Sequence, residues 1–160
     1  MIKTTKRILP LLLALALVLL TACGASAPKE INADLNQVYA QLGEKLELPE
    51  MLLLSEKKIL DYTGLDPAAC SQALVAICGE GLRVDEIWLV EAADEDGAKA
   101  VQDLARARVE QICAETQDYL PDQYAVAKEA RIVTVGRFVA LFVSPDAAEM
   151  ENLFRQALEG

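Results

Sequence analysis

Residues 72–92 read Gln-Ala-Leu-Val-Ala-Ile-Cys-Gly-Glu-Gly-Leu-Arg-Val-Asp-Glu-Ile-Trp-Leu-Val-Glu-Ala. Two runs rich in β-branched and aromatic residues, 72–78 and 86–92, flank a segment holding Gly79 and Gly81, which predicts two successive strands. Asp94 then caps a long helix over about 95–117, with Ala98, Val101, Ala105, Val109, Ile112 and Thr116 as its inward stripe. The pattern returns downstream. Residues 132–135 and 138–143 form a hairpin whose turn, Gly136-Arg137, has glycine first. Ser144-Pro145 opens a last helix with Met150, Leu153, Phe154, Ala157 and Leu158 on its apolar face. Ala98, Val101 and Leu104 correspond to Ala147, Met150 and Leu153, each 49 positions on. The expected fold is α+β: a duplicated ββα unit gives a four-stranded, mostly antiparallel sheet with both long helices on one face. Phe138–Val143 is apolar on both sides, so the second face needs a cover: the N-terminal helices are the expected one, and a partner is the alternative.

Those helices are read further upstream. Asn32 caps a helix to about Lys45 that presents Leu35, Val38, Tyr39 and Leu42, and Leu48-Pro49 ends it. Residues 51–54 make a short extended run. Ser55 starts a second helix with Ile59, Leu60 and Tyr62, and Gly64 closes it. Asp66-Pro67 begins a further turn. Leu120-Pro121-Asp122 separates the long helix from a short one over about 122–129.

The chain starts differently. Lys3, Lys6 and Arg7 precede an apolar run from Ile8 to Leu20, followed by Leu20-Thr21-Ala22-Cys23. Basic flank, apolar core and small residues at a cleavage point are the layout of an export signal. The core is shorter than the roughly 20 residues a spanning helix needs. Leu20-Thr21-Ala22-Cys23 resembles the lipobox of bacterial lipoproteins. The resemblance implies cleavage between Ala22 and Cys23 and diacylglycerol on the Cys23 thiol. The expected organisation is a signal over 1–22, a tether over 23–30 and one α+β domain over 31–160. The expected address is the outer face of the cytoplasmic membrane, held by lipid.

Composition narrows the function. The whole chain carries −10, and the leader holds three positive charges and no acid, so the remainder stands at −13. Such a chain is repelled by nucleic acid, which is excluded as a partner. There is no histidine. That removes Ser-His-Asp and Cys-His catalysis and every histidine-bearing zinc site. Cys70, Cys78 and Cys113 have no metal-ligand spacing. They read either as core thiols or, for the first two, as a disulfide.

Leu48-Pro49-Glu50-Met51, then Tyr119-Leu120-Pro121-Asp122-Gln123-Tyr124 ahead of the hairpin, together with the lipobox, resemble a family of small Gram-positive lipoproteins. That family occurs mainly in clostridia-like bacteria and is known only as a domain of unknown function. The resemblance covers about residues 46–158. It implies an envelope location and a single α+β domain, and it brings no catalytic or binding residue.

The candidate sites come from the residues themselves. Tyr119 and Tyr124 join two helices and are of a type enriched at interfaces; Trp88 is the sole tryptophan. Against these stands plain packing of all three rings. Asp94 and Asp96 echo part of a calcium loop, but Ala92 and Asp103 stand where further ligands belong. The simpler reading is an acidic helix start favoured by the helix dipole. Asp85, Glu86 and Glu91 are the carboxylates that a glycan hydrolase without histidine would use. The expected function is a non-catalytic, lipid-anchored binding or envelope-associated module without a cofactor. Its partner is an envelope protein or a wall component. The alternative is a carboxylate-dependent hydrolase of cell-wall glycans.

Overall fold

The two strands anticipated in 72–92 lie at the heart of the sheet. A computed structural model describes residues 31–159. The signal, the tether, Ala22 and Cys23 lie outside the described residues. The strands are β1 (Met51–Leu53), β2 (Cys70–Cys78), β3 (Glu86–Ala92), β4 (Arg131–Val135) and β5 (Phe138–Val143). The helices are α1 (Leu35–Lys45), α2 (Glu56–Thr63), α3 (Glu95–Thr116), α4 (Pro121–Lys128) and α5 (Ala147–Glu159), with a 3-10 turn at Pro67–Ala69. The sheet order is β1-β2-β3-β5-β4, antiparallel throughout. The second strand of each ββα unit therefore sits at the centre, and the α+β expectation holds.

The sheet has five strands, where four were expected. The extra one is the short apolar run after Leu48-Pro49, which pairs with the end of β2, Met51 opposite Cys78 and Leu53 opposite Ala76. Three residues lack the length to announce a strand by periodicity. Their pairing is decided by the free edge of β2.

The long helices take opposite faces, contrary to the expectation of one. Trp88, Val90 and Ala92 of β3 share a face with Val75, Val139, Leu141 and Val143. Ala98, Val101, Ala105 and Ile112 of α3 pack there, with Ile59 of α2 and Ala127 of α4. The other face carries Ile87 and Leu89 beside Phe142 and Ala140. There α5 covers β4 and β5, with Phe154 edge-on to Phe142 at 6.0 Å, and α1 lies against α5, β2 and β3. The physical reason lies in the central strands. Every residue of β3 and β5 is buried. A strand apolar on both sides must be covered on both, so two long helices on one face would leave Phe142 and Leu89 in water. The second face is thus closed by the protein's own chain, with α1 as expected and α5 beside it, whereas the other N-terminal helix, α2, departs from the expectation and packs with α3 on the first face.

Local chemistry sets the element ends. Asp34, not Asn32, caps α1, accepting from the Asn36 N–H at 2.9 Å. Gln72 clamps this end to the sheet. Its amide N–H donates to the Ala33 carbonyl and to Glu91, both at 2.8 Å, and its oxygen accepts from the Leu35 N–H at 3.0 Å. Asp94 caps α3 and accepts from the Gly97 N–H at 2.7 Å. Asp94→Ala should lower the unfolding free energy by about 1 kcal/mol, read from urea melts. An unchanged midpoint would mean that water replaces the cap. The hairpin turn places Gly136 at φ 57°, a conformation that costs glycine nothing.

Cys70 and Cys78 stand at the two ends of β2, so a bridge between them is ruled out: eight residue steps in a strand span roughly 27 Å. All three described thiols are free and half-buried; Cys70 and Cys113 pack against the core, in line with the core-thiol reading, and Cys78 lies at the end of β2.

Candidate functional site

The site forms at the end of the sheet where β2 leads into β3. Loop 79–85, the C-terminal half of α3 and the start of α4 meet there. Two adjoining clefts share Arg83. The first, about 260 Å³, is lined by Leu82, Arg83 and the segment from Tyr119 to Gln123. The second, about 160 Å³, runs inward past Tyr62, Cys78 and Glu115 to Asp85, Glu86 and Arg108. Gln123 holds the loop by accepting from the Val84 N–H at 3.0 Å.

The inner wall is a buried charged cluster. Glu86 and Arg108 are only 2% and 9% exposed. Arg108 grips Glu86 in a fork: Nε contacts both carboxylate oxygens at 3.1 Å, and Nη2 donates to Oε2 at 2.9 Å. The Trp88 indole N–H donates to Glu86 Oε1 at 2.6 Å. Arg108 also donates to the Tyr62 hydroxyl, and its guanidinium lies 4.3 Å from the Tyr62 ring centre. The network therefore ties α2, β3 and α3 together. Burial would lower the Arg108 pKa, but the hydrogen bonds and charge of Glu86 outweigh it and raise it above the ordinary value. The Tyr62 pKa is also raised, first by burial and then by the charge of Glu86. Nearer the surface, Arg83 makes a two-point pair with Asp85 at 2.9 and 3.0 Å.

The expected site residues are dispersed. Tyr119 is 85% exposed on the first cleft, so plain packing does not account for it. Tyr124 is half-buried one turn further on, with the Lys128 ammonium 5.5 Å from its ring centre. Trp88 is a core residue with no exposed surface and cannot be a binding platform; its alternation in β3 turns it onto α3. Asp94 is occupied as a cap, and the exposed Asp96 pairs with Lys99 at 2.7 Å. Among the described residues no three metal-ligating side chains gather. Glu86 and Glu91 lie on opposite faces of β3, and Glu91 is held by Arg137 at 2.8 Å.

Sequence reasoning missed Arg108, Tyr62, Leu82 and Arg83. Arg108 had a signal. It lies three residues after Ala105 and four before Ile112, as well phased for the interior as Val109. Val109 was chosen because it is apolar, yet it is only half-buried. A charged residue on an inward phase, with Glu86 leading an apolar strand, was the clue to a buried pair. Leu82 carried none, because exposure of a loop leucine is a tertiary property.

A family model for a domain of unknown function (DUF4358) matches residues 44–144. The chain belongs to this family. No curated protein and no solved structure matches it. The DUF4358 segment holds β1 to β5, α2 to α4 and every residue of both clefts. It ends at Ser144, before α5, so the helix that covers Phe142 falls outside the matched segment. Among the described residues no helix is long and apolar enough to cross a membrane.

Proposed function

We propose that the chain is a lipid-anchored lipoprotein on the outer face of the cytoplasmic membrane. Its folded part works as a non-catalytic binding module for an envelope protein or wall component. The observation that carries the binding reading is the pairing of Leu82 and Tyr119, 70% and 85% exposed, along a single cleft. Large apolar side chains set together at a surface are the common mark of a contact site. The hydrogen-bonded cluster in the adjoining cleft supports the same reading, since a loop backed by a satisfied polar network presents a preorganised surface. Support for the anchor is the basic flank, apolar core and Leu20-Thr21-Ala22-Cys23. The chain enters α1 beside Gln72 and Glu91, whereas the cleft lies at the Cys78 and Glu86 end of the same strands. A hydrolase gains no comparable support, because Asp85, Glu86 and Glu91 are each engaged by an arginine.

Two measurements test this. Cys23→Ala should abolish metabolic labelling with a fatty-acid probe, and unchanged labelling would refute the anchor. Crosslinking in cells from position 119 should yield a discrete adduct that Leu82→Ser reduces at least fivefold. The absence of any adduct above background would remove the binding reading.

A further inference from the structure

The charges around the cleft indicate what it binds. The two clefts are lined by two arginines and four acids: Arg83, Arg108, Asp85, Glu86, Glu115 and Asp122. Both arginines are already neutralised, Arg83 by Asp85 and Arg108 by Glu86. The lining keeps two negative charges in excess: Glu115, whose field also reaches Arg108, and Asp122; the Glu115 carboxylate is oriented by the Gln111 amide at 2.8 Å. The exposed Leu82 and Tyr119 line the same cleft as Asp122, and Glu115 lines the adjoining one. Tyr62 already carries a cation on its ring, that of Arg108, whereas the Tyr119 ring has no such neighbour among the described residues. An open aromatic face with a carboxylate in its own cleft and a second in the adjoining one attracts an ammonium or guanidinium, and an exposed leucine in the same cleft favours an apolar neighbour on the same ligand.

We infer that the occupant of this cleft is a basic segment of a partner polypeptide, with lysine or arginine alternating with apolar side chains. This rests on the reading of the cleft as a binding surface. A polypeptide fits because the surface is an open trough of side chains at the end of a sheet rather than an enclosed pocket. The field of the chain acts in the same direction: with 25 acids against 15 bases, it attracts a cationic partner from a distance and repels an acidic one.

The test uses the full chain in phosphatidylcholine nanodiscs, with empty discs as the blank. The probes are fluorescein-labelled hexapeptides: (Lys-Leu)3, (Lys-Ser)3 and (Glu-Leu)3. Anisotropy at physiological salt should detect (Lys-Leu)3 and should find (Glu-Leu)3 at least tenfold weaker. Tyr119→Ala and the charge-removing pair Glu115→Gln/Asp122→Asn should each weaken (Lys-Leu)3 by about tenfold. The control pair Asp96→Asn/Asp103→Asn removes as much charge from the first half of α3 and should change affinity less than twofold. (Lys-Ser)3 should bind weakly, because it lacks the apolar contact. Equal loss in the control pair would reduce the effect to net charge and overturn the proposal. Binding of (Glu-Leu)3 that is lost with Tyr119→Ala would keep the binding surface and refute the basic partner. Failure of all three probes, with no adduct from position 119 in cells, would remove both.

Discussion

Arg108→Met is expected to cost about 3–5 kcal/mol of folding stability, because it strands a carboxylate in the core. Glu86 is 2% exposed and has three polar neighbours, Arg108, Trp88 and Tyr62. Methionine fills much of the arginine's volume, so the loss reports charge rather than a cavity. The double variant Glu86→Gln/Arg108→Met should recover more than half of it. No charge remains to be desolvated, and the amide that replaces the carboxylate still offers an oxygen to the Trp88 indole. Urea unfolding of wild type, both single variants and the double variant gives the coupling energy directly. A loss below about 1 kcal/mol for Arg108→Met would mean that water reaches Glu86 and that the cluster is no rigid backing for the cleft.

Phe154→Ala should likewise cost about 3–5 kcal/mol, for a different reason. The ring is fully buried against Phe142 on the face that α3 does not reach. Its removal leaves a void between α5 and the sheet, and neighbouring rings in edge-to-face contact lose their own attraction as well. The neighbour Leu153 is only half-buried, so Leu153→Ala should cost about half as much or less. Binding of a hydrophobic dye should rise for Phe154→Ala if the second face opens. A small loss without dye binding would show that α5 is dispensable there.

Much of the fold was legible because it is local. Periodicity located β3 to its observed ends, and α3 and β5 to within a residue. The glycine-first turn and the caps at Asp94 and Asp66 were readable from residue type alone. The candidate site was less so. Tyr119 lies exposed on a cleft, and Trp88, weighed as core against binding platform, is core. Residue type tells what a ring is able to do, and only packing tells whether it faces water. Arg108 and Glu86 were obscured by the rule that charged residues lie outside. The rule fails where two opposite charges are buried together and every polar atom finds a partner.

What residues 72–92 and their later echo determined by themselves was a pair of ββα units, hence an α+β chain with two long helices. Alternation and helical spacing are properties of neighbouring residues, and they need no tertiary contact. Which face each helix takes, whether Met51–Leu53 pairs, and that Arg108 reaches Glu86 twenty-two positions away were decided only in three dimensions. The reason is burial: β3 and β5 are apolar on both sides, and covering both faces distributes α3 and α5 between them. The same packing brings loop 79–85 against the start of α4 and makes a cleft of Leu82 and Tyr119, residues that nothing in their own neighbourhoods brings together.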